Sequence, residues 1–244
     1  MPRKRLFVHA LLAAGFLAGV GPAAAEDMPA PESGFEPIFD GKTLDGWEGD
    51  PVYWRVENGA LTGVVTPETV MSRNSFIIWR GGVVRDFELK LEYRVSGLGN
   101  SGVNYRSTEV EGTPFAMKGY QADIDGGARS NAVRHTGQNY EERGRTFLAR
   151  RGQMVHMASG AKPEVFGSLG DTALLASFIK EEDWNELHVI ARGNVLVHIL
   201  NGHAMALVVD DDSANRRLEG LIGVQVHVGP PMKIEYLNIR LKRL

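Results

Sequence analysis

The sequence predicts an all-β protein, a two-sheet jelly-roll sandwich with one short helix. Two observations support this fold class: apolar and polar residues alternate along short segments, and tight-turn dipeptides separate those segments. The alternation is clearest over residues 87–95, where the odd positions are apolar and the even positions are charged. Many short strands joined by tight turns, with little helix, are typical of a β-sandwich.

Turn signals indicate where the predicted strands begin and end. Asn58-Gly59 and Asn201-Gly202 favour positive φ, which two-residue hairpin turns require. Gly193-Asn194 is a third tight turn. Only residues 172–180 have a helical pattern, and Asp171 is placed as its N-cap. The predicted strands span residues 53–57, 60–65, 87–95, 187–192, 195–200, 222–228 and 234–241.

Residues 1–25 have the pattern of an export signal. A positively charged start precedes a short apolar run, which ends in three alanines at Ala25. The run is short for a membrane span, so a retained anchor is the less favoured alternative. We therefore expect a signal peptide cleaved after Ala25, a linker over residues 26–34 and a single domain over residues 35–244. The expected location is the periplasm or the cell exterior.

Composition excludes several classes of protein. The chain has no cysteine, so disulfides and a lipid attached to cysteine are both excluded. Its formal charge is −3, and loss of the three basic residues of the signal makes the mature chain −6. No stripe of lysine and arginine accompanies this acidic balance, so we expect no nucleic-acid partner. We also expect no membrane span in the mature chain.

Polar residues occur in pairs on three predicted strands. Residues spaced i, i+2 point to the same side of a strand, and the neighbours of these pairs are mostly apolar. The pattern predicts a sheet with one face on the core and the other face offered to a polar ligand. An ordinary solvated face is the alternative. The pairs are Asn104 and Arg106, Gln121 and Asp123, and Gln225 and His227.

Several segments of the chain, taken in order, carry a family resemblance. They include the Asn-Ser-Gly segment at Asn100 and the strand Lys118-Gly119-Tyr120-Gln121-Ala122-Asp123-Ile124. The full set covers residues 34–47, 54–61, 86–89, 100–106, 118–124, 136–142, 184–186, 200–202 and 222–227. From about residue 34 to residue 244, the chain resembles the 3-keto-disaccharide hydrolase domain family.

This resemblance implies a concanavalin A-like sandwich of the lectin and glucanase kind. It also implies cleavage of glycosides that are oxidised at the sugar C3, so the expected partner is an oligosaccharide or glycoside. A non-catalytic carbohydrate-binding module of the same fold is the main alternative. The loop after the central strand contains Tyr140, which joins the predicted substrate contacts. Some family members have Glu and then Gln where this chain has Gln121 and Asp123.

A 3-keto sugar requires a base, because the carbonyl group acidifies the C2 proton. Removal of that proton, loss of the C1 substituent and addition of water give net hydrolysis. Imidazole has an unperturbed pKa of about 6.5, so His227 is the first candidate base, with Asp123 orienting it or acting as the base itself. The predicted substrate contacts are Asn104, Arg106, Gln121, Gln225 and Tyr140.

Two other chemistries are alternatives to this one. A retaining glycosidase needs two carboxyl groups about 5–5.5 Å apart, and the spacing of Asp123 and Asp125 permits such a pair. The glycines after Asp125 indicate a turn, however, which weakens this alternative. The sequence contains no His-x-His or similar metal motif, so no cofactor is assigned, and a divalent ion at Asp123 and His227 is an open alternative.

We predict that the mature protein begins at Glu26 and is found outside the cytoplasm. A cleavable signal peptide is defined by a charged start, an apolar run and small residues at its end, and residues 1–25 have all three. N-terminal sequencing of protein isolated from the native host measures this directly. A chain that still begins at Met1 or Pro2 would contradict the prediction.

Overall fold

A computed structural model describes residues 32–127 and 135–244, which form two β-sheets. The predicted signal peptide and residues 26–31 of the predicted linker lie outside the described residues. In the part of the chain that is described, no helix is long and apolar enough to cross a membrane. The predicted fold class, an all-β two-sheet sandwich with one short helix, is confirmed.

Short elements follow one another along the chain. In chain order they are β1 (Glu36–Pro37), β2 (Trp47–Glu48), β3 (Trp54–Glu57), β4 (Ala60–Val65), a 3₁₀ turn (Pro67–Thr69), β5 (Ser75–Trp79), β6 (Phe87–Val95), β7 (Asn100–Glu109), β8 (Met117–Asp125), β9 (Asn139–Glu142), β10 (Thr146–Ala149), β11 (Gln153–Ala158), β12 (Glu164–Ser168), α1 (Thr172–Ala176), β13 (Asn185–Arg192), β14 (Val195–Leu200), β15 (His203–Asp211), β16 (Leu221–Val226) and β17 (Met232–Arg243).

The two sheets differ in size. The larger sheet has ten strands in the order β12-β11-β15-β14-β13-β6-β17-β4-β3, with β1 beside β17. The smaller sheet has seven strands in the order β10-β9-β8-β7-β16-β5-β2. Strands β8, β7 and β16 are therefore neighbours at the centre of the smaller sheet. This order places the three predicted polar pairs on adjacent strands, except that His227 lies just beyond the end of β16.

The predicted alternation and turns are confirmed. Every odd residue of β6 is buried between the sheets and every even residue is partly exposed. Asn58 and Gly59 have φ values of 51° and 82°, and Asn201 and Gly202 have φ values of 48° and 82°. These left-handed conformations match the twist of the flanking strands, which is why the Asn-Gly dipeptide marks a hairpin.

The helix is shorter than predicted. The Asp171 carboxylate caps it by accepting hydrogen bonds from the N–H groups of Ala173 and Leu174, as expected of an N-cap. The helix nevertheless ends at Ala176 rather than near Lys180. Asparagine side chains explain the early end. Asn201 donates to the carbonyl oxygen of Phe178 and Asn185 donates to that of Lys180, so these carbonyls are satisfied without a further helical turn.

Arg106 does not lie with the other predicted substrate contacts, and this placement corrects the sequence prediction. A β-bulge interrupts the pairing of β7 with β8 after Tyr105, and Arg106 has a φ of 45°. The extra residue shifts the alternation of side chains, so the arginine turns away from the face that carries Asn104. Its side chain is fully buried and donates to the carbonyl oxygens of Arg85 and Gly193 and to the Asp86 carboxylate.

We predict that Arg106→Met destabilises the fold. The substitution leaves buried carbonyl oxygens without their donor and removes the partner of Asp86, so the free energy of unfolding should fall by about 3 kcal/mol or more. Urea denaturation followed by circular dichroism measures the change. Arg85→Met is the control, since that side chain is exposed and should shift the free energy by less than about 0.5 kcal/mol. If Arg106→Met unfolds like the wild type but binds sugar more weakly, the original prediction that Arg106 contacts the substrate would be restored.

Candidate functional site

The outer face of the smaller sheet, the face turned away from the larger sheet, carries four of the six polar residues predicted on β7, β8 and β16. Between the sheets, the alternating residues of these strands join one apolar core. Asn104, Gln121, Asp123 and Gln225 lie on the outer face, and their exposed fractions are only 0%, 3%, 7% and 0%. The four side chains therefore form a buried polar layer, which we call the floor.

A chain of amides runs across the floor. Gln225 Nε2 donates to Gln121 Oε1 at 3.2 Å, and Gln121 Nε2 donates to Asp123 Oδ1 at 2.5 Å. The link needs Gly102 on the intervening strand, because a Cβ there would lie 2.4 Å from Cδ of Gln121. Each amide fixes the orientation of the next, so the Asp123 carboxylate is held in one position.

The surroundings of Asp123 favour the protonated form of its carboxyl group. Burial raises its pKa well above the usual value, the hydrogen bond from Gln121 acts in the opposite direction, and the charges of Asp125 and Glu142 raise it further. Burial also raises the pKa of Glu142 and, together with the charges of Glu142 and Asp123, that of the Tyr140 phenol. Perturbed carboxyl groups grouped in this way are typical of functional sites.

One contact passes over the floor. Asn74 Nδ2 donates to Glu142 Oε1 at 3.4 Å, although β5, which follows Asn74, and β9 are separated by three strands. Neighbouring strands are about 4.8 Å apart, so the two side chains meet only because the sheet curves and both reach inward. Asn74 Oδ1 also accepts from the N–H of Val228, which fixes it in this position.

A histidine–aspartate pair that the sequence does not predict adjoins the floor. His135 Nδ1 lies 2.7 Å from Asp125 Oδ2, and Asn100 Nδ2 donates to the other carboxylate oxygen. The imidazole stacks on Phe147 with ring centroids 5.2 Å apart. The i, i+2 spacing in the sequence already predicted that Asp125 lies on the same face as Asp123. No local sequence pattern marks His135, because it is ten residues from Asp125 in the chain.

His227 follows β16 directly and is half-buried. Its Nδ1 lies 2.5 Å from the carbonyl oxygen of Val228. Tyr140 is the partner of Gln121 in the pairing of β8 with β9, and its ring packs edge-on against Phe147 at 5.0 Å. The structure thus brings Tyr140 to the floor beside Gln121.

The far end of the same face is apolar. Phe76, Ile78 and Met117 form a separate buried cluster, against which Leu221 packs. The polar floor is therefore bounded by apolar side chains on one side and by the Tyr140, Phe147 and His135 rings on the other. Within residues 32–127 and 135–244, no group of three or more His, Asp or Glu side chains is arranged to hold a metal ion.

The fold and the floor define a two-sheet β-sandwich with a buried polar layer on one outer face. The chain belongs to the family described as the 3-keto-alpha-glucoside-1,2-lyase-like domain, which matches residues 34–242. A curated 3-keto-disaccharide hydrolase from Bacteroides thetaiotaomicron is 34% identical over 90 residues, covering 34% of this chain and 31% of that protein. The chain therefore spans about a third of the length of the curated relative that it matches.

Solved structures share the fold. A provisionally named glycosyl hydrolase from Parabacteroides distasonis aligns with a TM-score of 0.57 at 18% identity, covering 86% of this chain and 99% of that one. A Bacillus subtilis protein of unknown function with a galectin-like fold gives 0.58 at 11% identity, with coverages of 86% and 94%. The carbohydrate-binding module CBM66 from Bacillus subtilis gives 0.51 at 15%, with coverages of 81% and 95%.

The raised pKa of Asp123 predicts that Asp123→Asn stabilises the protein at neutral pH. Between the pKa of an unfolded aspartate, about 3.9, and the raised folded value, the folded state binds the extra proton. The free energy of unfolding therefore falls as pH rises through this window. Asparagine cannot ionise and can still accept from Gln121, so the melting temperature should rise at pH 7 and match the wild type near pH 4. Each 1 kcal/mol corresponds to about 2–4 °C.

Asp211→Asn is the matched control for this measurement. The Asp211 carboxylate is exposed, and its hydrogen bonds with His156 and Asn194 lower its pKa. Replacing it should leave the melting temperature at pH 7 unchanged or lower it. Thermal denaturation at both pH values compares the two variants, and a lower melting temperature of Asp123→Asn at pH 7 would contradict the assignment.

Proposed function

We propose that this protein cleaves 3-keto-glycosides by eliminating the C1 substituent and then hydrating the product. The observation that carries the proposal is the buried Asp123 carboxylate with its raised pKa, held by Gln121 on the outer face of a member of this family. A base of this kind suits a carbon acid made reactive by a neighbouring ketone. The curated relative, named a 3-keto-disaccharide hydrolase, supports the same substrate class.

The reaction has two balanced steps. In the first step the base takes the C2 proton, the electron pair of that bond forms the C1–C2 double bond, and the C1–O bond breaks. The departing oxygen gains a proton and leaves as an alcohol. In the second step water adds across the double bond, with hydroxyl at C1 and hydrogen at C2. The sum is hydrolysis of the glycosidic bond with no change in oxidation state.

Asp123 is the proposed base. Efficient proton transfer needs a base whose pKa is near the working pH. The usual pKa of an aspartate is too low for this role, and burial next to Asp125 and Glu142 raises it. The Gln121 amide holds one carboxylate oxygen, which leaves the other oxygen to face the substrate.

Tyr140 is the proposed proton donor. Its phenol is half-buried and has a raised pKa, so it stays protonated at neutral pH and can donate to the enolate oxygen or to the leaving oxygen. The charges of Glu142 and Asp123 contribute to the raised pKa of Tyr140, so the phenol is near both carboxyl groups. A neutral donor in a partly buried position stabilises developing negative charge more strongly than it would in water.

Two imidazoles are candidates to assist Asp123. His227 is the histidine proposed from the sequence, and His135 is the one that the structure adds through its contact with Asp125. A carboxylate bound to Nδ1 fixes the orientation of the ring. Either ring could exchange protons with Asp123 between turnovers. We further propose export from the cytoplasm, which rests on the pattern of residues 1–25.

Activity on a 3-keto-disaccharide and on its parent sugar tests the proposal. We expect turnover of the 3-keto form only, because the parent lacks an acidic C2 proton. Asp123→Asn should lower turnover by about 10² or more, the usual scale for loss of a general base. His227→Ala and His135→Ala, compared side by side, should show which imidazole contributes. His156→Ala is the control, since this histidine pairs with Asp211 on the larger sheet and should have no effect.

Three outcomes separate the alternatives. Equal cleavage of the ketone and the parent sugar would exclude elimination and favour a two-carboxylate glycosidase. Binding of both sugars without turnover would identify a carbohydrate-binding module. In D₂O, wild-type turnover should place deuterium at C2 of the product, and its absence would show that the C2–H bond is never broken.

A further inference from the structure

The proposed reaction leaves one carboxyl group of the site without a role. That group belongs to Glu142 on β9, two residues after Tyr140. Side chains spaced i, i+2 share one face of a strand, and Tyr140 lies opposite Gln121 in the pairing of β8 with β9. Glu142 is therefore on the outer face of the smaller sheet, beside the proposed proton donor.

Asp123 and Glu142 each have one carboxyl oxygen held and one oxygen open. Gln121 Nε2 donates to Asp123 Oδ1, and Asn74 Nδ2 donates to Glu142 Oε1 at 3.4 Å. The second oxygens, Asp123 Oδ2 and Glu142 Oε2, accept no hydrogen bond from the described residues and are not closed off from solvent. The two residues are 7% and 8% exposed. A substrate on this face can therefore contact both carboxyl groups.

The two carboxyl groups also interact through their charges. Burial raises the pKa of Asp123, and the charge of Glu142 raises it further. Burial raises the pKa of Glu142 as well. Neighbouring carboxyl groups do not readily ionise together, so over a range of pH the pair holds one proton. A carboxylate and a carboxylic acid are then present at the same time, which suits an elimination assisted by a base and an acid.

We propose that Glu142 is the acid that protonates the leaving oxygen at C1, with Asn74 holding its carboxyl group in place. This inference rests on the proposed function and assigns its proton transfers. Asp123 takes the C2 proton, Glu142 gives its proton to the departing oxygen as the C1–O bond breaks, and Tyr140 donates to the C3 oxygen. When water adds, its hydroxyl joins C1, its proton returns to Glu142, and Asp123 returns a proton to C2.

This role defines the class of leaving group. An alkoxide is a poor leaving group and needs a proton as the C1–O bond breaks, whereas a nitrophenolate is stable as an anion. An acid at this position therefore serves substrates whose C1 substituent is a second sugar or another alcohol. The leaving group also supplies the test, because only the role of an acid depends on it.

We predict that Glu142→Gln slows a 3-keto-disaccharide by about 10² or more in kcat, the usual scale for loss of a general acid. The same variant should slow p-nitrophenyl 3-keto-glucoside by less than about threefold, because nitrophenolate needs little acid assistance. Glutamine has nearly the shape of glutamate and can still accept from Asn74, so the fold is kept. Along a series of substituted phenyl 3-keto-glucosides, the rate of the variant should fall steeply as the phenol becomes less acidic, and the wild-type rate should change little.

Two further variants are measured on the same pair of substrates. Glu109→Gln is the matched control, since Glu109 is an exposed glutamate of the same sheet that pairs with Arg80. It should leave both rates unchanged. Tyr140→Phe should slow both substrates by a similar factor, because the C3 oxygen gains charge with either leaving group.

The outcomes separate this inference from the proposed function. If Glu142→Gln slows both substrates equally, or slows neither, Glu142 is not the acid, and the inference is overturned while the proposed elimination stands. If Tyr140→Phe gives the loss that depends on the leaving group, the phenol is that acid and the inference is also overturned. If the wild type cleaves neither 3-keto substrate, the proposed function fails and the inference fails with it.

Discussion

The pleat of β8 determines where both the core and the site lie. Successive side chains of a strand point to opposite faces, so the packing of Tyr120, Ala122 and Ile124 between the sheets directs Gln121 and Asp123 outward. A register shift of one residue would move the carboxylate into the core and the aromatic ring onto the outer face. The apolar burial of one face therefore fixes the geometry of the polar face.

Buried hydrogen bonds connect the larger sheet to the site through the core. His198 on β14 is fully buried, and burial lowers its pKa to about 4, so the ring is neutral at physiological pH. Its Nδ1 must carry the proton, because its partner at 3.1 Å is the carbonyl oxygen of Gln138. Nε2 then accepts from the Tyr105 hydroxyl at 2.9 Å. The same Gln138 carbonyl accepts from the N–H of Asp123, which ties the candidate base to the opposite sheet.

The sequence correctly predicted the features that depend on local periodicity. It did not predict the side-chain positions that depend on contacts between residues distant in the chain. Alternation was sufficient to place Gln121, Asp123 and Gln225 on one face. It misplaced Arg106, because a bulge with a left-handed residue leaves no clear mark in the sequence and reverses the expected side. His135 was missed because its contact with Asp125 joins residues ten positions apart, a distance over which strand periodicity gives no signal.

Two buried aspartates show how a structural carboxylate differs from one suited to chemistry. Asp210 is 1% exposed, accepts from the Tyr120 hydroxyl at 2.6 Å and pairs with Arg145 at 2.7 Å, so its charge is compensated in place. Asp123 is 7% exposed, but among the described residues it has an amide donor instead of a cation, and two further carboxyl groups lie nearby. Burial without a counterion is unfavourable for the charged form. The charged form of Asp123 therefore destabilises the folded protein. For the same reason, the carboxylate of this candidate base binds a proton readily.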